Sequence, residues 1–205
     1  LFFCIILTSL TLSKEKKYLL HQLKSSITNR ERSSMFDETT VSDMHYKVLL
    51  KVHACLMLAL CIYYYFSYNI PSIYTQLPHE WFLGGLTLGG SVFIFIKSLL
   101  YRFINWIFFQ NDRNSLWITS FFNILIWLGI SLLPTILVIV YFDISSQISF
   151  ILIGILIIFA KIALFWICFS NFFEKIHGAF HLILYFCALE ILPDLIFWKG
   201  IELVN

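Results

Sequence analysis

Charge is what this sequence has least of. Only 13% of its 205 residues are Asp, Glu, Lys or Arg, about half the ~25% of an ordinary soluble domain. Apolar residues make up 60% of the chain and aromatics 19%, and the mean hydropathy is +0.84. One small domain has no interior large enough to hide that much apolar surface, so lipid has to be its second solvent. A net charge of +2 gives no basic surplus, and nucleic acid is not an expected partner. The five cysteines form no CxxC pair, which argues against both a disulfide framework and a zinc site. There is no GxSxG, no glycine-rich phosphate loop, no DxD, and no Ser or Cys with a His and an acid at hand, so no enzyme is predicted. No internal repeat is visible either, and with it goes the inverted-repeat signature of many secondary transporters.

What is present is a series of long apolar runs. Leu1 to Leu12 is about half the length a spanning helix needs, and reads as part of a truncated first helix. A cleaved signal peptide is the competing reading, but here the cationic stretch follows the apolar run instead of preceding it, and no small-residue cleavage site is apparent. Further spans are predicted at Tyr46 to Tyr68, Trp81 to Leu100, Leu116 to Phe142, Ser149 to Phe172 and Ile176 to Trp198, each near or above the ~20 residues that cross a bilayer. The expected fold is therefore an all-α, polytopic transmembrane helical bundle of about six spans, one integral membrane domain over residues 1–205.

The placement of Lys and Arg predicts sidedness. Lys14, Lys16, Lys17, Lys24, Arg30, Arg32 and Lys47 fall between the first two spans, whereas Asn69 to Glu80 contains no basic residue. The alternation continues with Arg102 and Arg113, an uncharged-by-base Asp143 to Ile148, and Lys175; only Lys199 breaks it. By the positive-inside rule, residues 14–45 are expected on the cytoplasmic side and both termini on the outer side, which in a bacterium would make this an inner-membrane protein with a periplasmic C-terminus. Within Lys14 to Thr28, Leu19, Leu20, Leu23 and Ile27 recur at helical spacing among lysines, the pattern of an interfacial amphipathic helix; an ordinary solvated helix accounts for it equally well. RFINWIFF, from Arg102 to Phe109, continues the third span with the composition of an interfacial anchor or a tilted helix end. Ser42 is placed as the cap of the second helix. The aromatics around His79 and Glu80, in IPSIYTQLPHEW, read as anchors at the opposite interface.

The residues that should not be in a membrane carry most of the remaining information. Lys161 sits midway along Ser149 to Phe172, and Glu190 lies well inside Ile176 to Trp198, followed by Pro193 and Asp194. A charge at a helix centre costs about 2.5 to 3.5 kcal/mol on insertion scales, so it normally faces a bundle interior and a partner. The last two spans make a hairpin turning near Glu174 to Ile176, which puts Lys161 and Glu190 each ~22 Å along its helix from the turn. Matched depth predicts an ion pair, although it does not fix the rotation of either helix. Such a pair serves either as a static bridge, or docking point for another subunit, or as a proton- or ion-responsive site. Pro193 removes one backbone bond just beyond Glu190, a kink suited to a polar pocket. Asp194, one turn past Glu190, joins that pocket or reaches the interface, and Tyr185 is a further candidate partner.

Lesser polar features have simpler readings. Lys97 lies five residues before Arg102 and is expected to snorkel to the membrane surface. Gly85 and Gly89 form a GxxxG expected to pack closely on a helix of this chain or another, and Asn123 is expected to hydrogen-bond across helices. His53, beside Lys47 and Lys51, is expected to face headgroups. His177 and His181, spaced i, i+4, are the candidates for metal, or for haem in company with His53; no HExxH or cysteine pair supports either, and no cofactor is predicted.

Two strings, HLILYFCALEILP from His181 to Pro193 and INWIFF from Ile104 to Phe109, resemble a family of polytopic inner-membrane proteins of the Bacteroidota defined only as a domain of unknown function. The resemblance implies a Bacteroidota-type inner membrane and puts Glu190 in the family's most recognisable segment; no activity, cofactor or catalytic residue comes with it. The residues themselves lead to a non-enzymatic membrane subunit, contacting lipids and other inner-membrane proteins of an export, envelope or motility assembly. A small proton- or ion-coupled transporter or channel using Glu190 is the alternative.

Overall fold

The computed structural model describes residues 4–6, 8–9, 41–69, 78–108, 111–142, 144–172 and 187–203. These residues form four long helices, α1 (Val41–Asn69), α2 (His79–Phe108), α3 (Asn111–Tyr141) and α4 (Ser146–Phe172). A π-helical turn, Cys187–Ile191, then leads directly into α5, Leu192–Leu203. Residues 4–6 and 8–9 are helical as well. The chain is an all-α, polytopic transmembrane bundle: α1 to α4 each contain a stretch long and apolar enough to cross a membrane, at Lys47–Asn69, His79–Ile104, Trp117–Tyr141 and Ser146–Phe169.

Each of these helices outruns its predicted span. Their 27 to 31 residues make rods of about 40 to 46 Å, longer than the ~30 Å hydrocarbon layer, so their ends reach the headgroups. Arg102 to Phe108 is helical as expected, as part of α2; Phe109 lies outside the described residues. Pro134 stands inside α3 without ending it. Ser42 lies within the first turn of α1 rather than ahead of it, and so is not its cap. The predicted amphipathic stretch Lys14 to Thr28 and the first half of the last predicted span lie outside the described residues.

Helix α1 packs on both α2 and α3, and α3 packs on α4. The α1–α3 crossing is tightest at Gly129, where an added Cβ would meet the Ala54 Cα at 2.6 Å. One buried cluster at this crossing joins Met57, Cys61, Leu132, Ile136 and Ile153 with Cys4, which ties residues near the start of the chain to the bundle. A second cluster, made by Tyr101, Trp117, Phe121, Leu164, Cys168 and Leu189, draws α2, α3, α4 and the π-turn together. The lipid side is correspondingly bare. On α4, Ile151, Ile155, Ile158, Phe159 and Ile162 are all more than half exposed, and their i, i+3, i+4 spacing makes one apolar stripe.

Candidate functional site

The second cluster forms the floor of a charged quartet. Lys97 on α2, Lys161 on α4, Glu190 in the π-turn and Asp194 on α5 converge there. Lys97 Nζ donates to Glu190 Oε2 at 2.7 Å and to Asp194 Oδ1 at 2.9 Å. Lys161 Nζ donates to the same Oε2 of Glu190 and lies against the other oxygen of Asp194. The remaining oxygen of Glu190 accepts the hydroxyl of Tyr101. Two ammonium groups and two carboxylates make the quartet neutral when all four are ionised, which is the condition under which charge is tolerated at membrane depth.

Local sequence explains why these groups meet. Lys97 and Tyr101 are one helical turn apart on α2, hence on one face, and each reaches a different oxygen of Glu190. Glu190 and Asp194 have the same i, i+4 relation across the junction between π-turn and α5. Pro193 has no N–H to complete the backbone ladder through this junction, and the π-turn before it re-aims the chain. The carbonyl of Glu190 lies 3.5 Å from Lys97 Nζ, so the same lysine serves both backbone and side chain of Glu190.

Depth and exposure divide the four residues. Lys97 lies seven residues from the end of its span at Ile104, and Lys161 eight from Phe169. Both are thus roughly 10 to 12 Å from the span ends nearest the basic residues. Lys97 and Glu190 are sealed, with side chains 5% and 1% exposed. Lys161 and Asp194 form the open flank, at 32% and 36%. A cavity of about 480 Å³, lined by Tyr64, Tyr68, Ile144, Ser145, Ser146 and Gln147, opens at the other end of the bundle. Ser146 is ~22 Å along α4 from Lys161, so this cavity does not reach the quartet.

Residues 1–201 match the family described as Domain of unknown function (DUF4271). The chain belongs to that family. No curated protein and no solved structure matches it.

In this DUF4271 chain the sequence reading located three members of the quartet and misplaced the fourth. Lys97 does not snorkel: it is 4% exposed and turned inward, because two carboxylates inside attract it more than the surface does. Tyr101 was not foreseen, although its spacing from Lys97 is visible in the sequence. Among the described residues no atom lies within 4 Å of a Cβ placed on Gly85 or Gly89, and both are exposed. The close helix contact is made at Gly129 instead, a lone glycine without a motif. Asn123 is buried, yet its amide nitrogen has no hydrogen-bond partner among the described residues. His53 is 2% exposed, with both ring nitrogens unpartnered among the described residues, so it is turned into the bundle and not outward. His177, His181 and Tyr185 lie outside the described residues. His79 lies edge-on to Tyr63, with ring centroids 6.5 Å apart, and the neighbouring Trp81 is 80% exposed, as an interfacial anchor is. Among the described residues no group of three His, Cys, Asp or Glu is placed to hold a metal.

Proposed function

We propose that this protein is a non-enzymatic membrane subunit that works by packing within a larger inner-membrane assembly, with the quartet as the clamp that fixes its shape. The observation that carries this reading is the complete mutual pairing of Lys97, Lys161, Glu190 and Asp194 across α2, α4 and the C-terminal elements. A group that must pick up and release an ion needs a free valence and a path, whereas four interlocked charges with zero sum resist any change in one member. The distribution of basic connections supports a cytoplasmic position for residues 14–45 and a periplasmic C-terminus, which would put the quartet in the cytoplasmic half of the bilayer. The resemblance of HLILYFCALEILP and INWIFF favours a Bacteroidota inner membrane, and export, envelope and motility machines are the assemblies in which such a subunit belongs.

One observation favours a second reading, a proton- or ion-coupled transporter. Glu190 lies in a π-turn, an element frequent at functional sites. Gentle extraction from native membranes, followed by the mass of the intact particle and quantification of co-purifying proteins, separates the two. A stoichiometric foreign partner supports the subunit. Glu190→Gln then decides what the carboxylate does: reduced abundance or assembly is expected, whereas normal abundance with loss of a measurable ion flux establishes transport and overturns the subunit reading.

A further inference from the structure

The open flank of the quartet is an unfinished surface. Lys161 and Asp194 each leave about a third of the side chain uncovered, at a depth where lipid tails offer no hydrogen bonds. Around them stand Ile162, Phe165, Ile191 and Leu195, all exposed and apolar. The result is a polar centre with a greasy rim in the groove between α4 and α5. A cation and an anion left half-solvated in hydrocarbon call for a cover that brings polar groups to the same depth.

Charge balance restricts what that cover can be. The quartet is already neutral, so an occupant with one net charge would create the uncompensated buried charge that bilayers exclude. A second copy of this chain brings one ammonium and one carboxylate, adjacent and at the same depth. A two-fold axis through the groove sets each against its opposite, because a surface bearing a neighbouring plus and minus is complementary to itself under that rotation. We propose that the groove between α4 and α5 is the contact face of a homodimer, in which Lys161 of each copy faces Asp194 of the other. The exclusion of lipid and water at the centre strengthens both new pairs, and the apolar rims close over them. This names a first partner for the packing subunit described above and rests on that reading.

Two measurements test it. The wild-type protein is extracted gently or placed in lipid nanodiscs and the particle mass is determined; two chains per particle are expected, and a single chain overturns the proposal without any variant. A short-reach bis-maleimide is then applied in native membranes to Ile162→Cys and to Ile151→Cys, positions equally exposed on α4 at 60% but three turns apart. Ile162→Cys is expected to capture a second copy and Ile151→Cys is not. Equal capture at both positions, or at neither, overturns the proposal. Capture of a different protein at Ile162→Cys rejects the second copy while leaving the larger assembly intact, and a two-chain particle with no foreign protein supports the dimer while removing that assembly.

Discussion

Lys97 Nζ lies 2.7 Å from Glu190 Oε2 although 93 residues separate the two along the chain. Both side chains are sealed from the surroundings, and this contact holds α2 to the C-terminal elements, while the half-open one made by Lys161 holds α4 to them. Replacing Lys97 by Met keeps the length of the side chain and removes its charge. Glu190 is then left with Lys161 for two carboxylates, and the quartet carries a net negative charge in hydrocarbon. A loss of about 3 to 5 kcal/mol is expected, the usual result of breaking a buried pair from one side. Unfolding in mixed micelles measures it directly, and a loss below about 1 kcal/mol would show that the pair behaves as a surface bridge.

Tyr101→Phe removes one oxygen and leaves the ring. Tyr101 is fully buried and packs against Trp117 and Phe121 with centroids 5.5 and 5.2 Å away, contacts that Phe retains. The hydrogen bond to Glu190 is lost. A destabilisation of about 1.5 to 3 kcal/mol is expected for a bond to a charged acceptor, with helix content unchanged by circular dichroism. Wild-type stability in this variant would mean that the hydroxyl contributes nothing to holding the carboxylate.

The fold was legible because lipid demands long apolar helices, and nothing else in the sequence competes with that signal. Lys161 and Glu190 were legible as a pair for a similar reason: a hairpin fixes depth, and depth is one coordinate of a contact. The second coordinate, rotation about the helix axis, is set by packing on distant parts of the chain. That is why Lys97 was assigned to the surface by its nearness to Arg102, while its true partners lie on elements far ahead in sequence. It is also why the close approach at Gly129, which has no motif around it, was not legible. Small-residue spacing shows that a helix offers a flat face, and the neighbours decide whether anything occupies it.

Glycine therefore provides a paired test. In Gly129→Ala the new methyl meets Ala54 Cα at 2.6 Å, with Ala54 Cβ at 2.8 Å, and one of the two helices has to shift. Overpacking of this kind costs about 1 to 3 kcal/mol. Gly85→Ala meets nothing within 4 Å and is expected to change stability by less than about 0.5 kcal/mol. Thermal unfolding of the two variants in one detergent checks the difference, and equal effects would contradict the crossing point of α1 and α3.

His53 offers a contrast to the quartet, since it is a buried polar ring with neither nitrogen partnered among the described residues. Leaving such a group unsatisfied costs about 1 to 3 kcal/mol, and an apolar group of similar size avoids that cost. His53→Leu is accordingly expected to be neutral or stabilising in a thermal melt of the purified protein. A marked loss of stability instead would reveal that the imidazole has a bound partner in the membrane, such as a water or a ligand, and solvent-isotope or ligand-addition shifts in the melt would then identify it.

The neutrality of the quartet can be tested apart from any single contact. Lys97→Met leaves one cation with two anions, and Glu190→Gln leaves one anion with two cations. The double variant Lys97→Met with Glu190→Gln leaves Lys161 and Asp194, one of each sign, still in contact through the carboxylate oxygen 2.5 Å from Lys161 Nζ. If charge balance is the dominant requirement, the double variant is more stable than either single one, because removing both partners of a buried pair costs far less than removing one. The expected coupling energy is about 1 to 3 kcal/mol, read from a double-mutant cycle of unfolding free energies. Strict additivity would show that the two groups act independently, and the clamp would then have to be assigned to the Lys161 side of the quartet, where Glu190 and Asp194 share the second lysine.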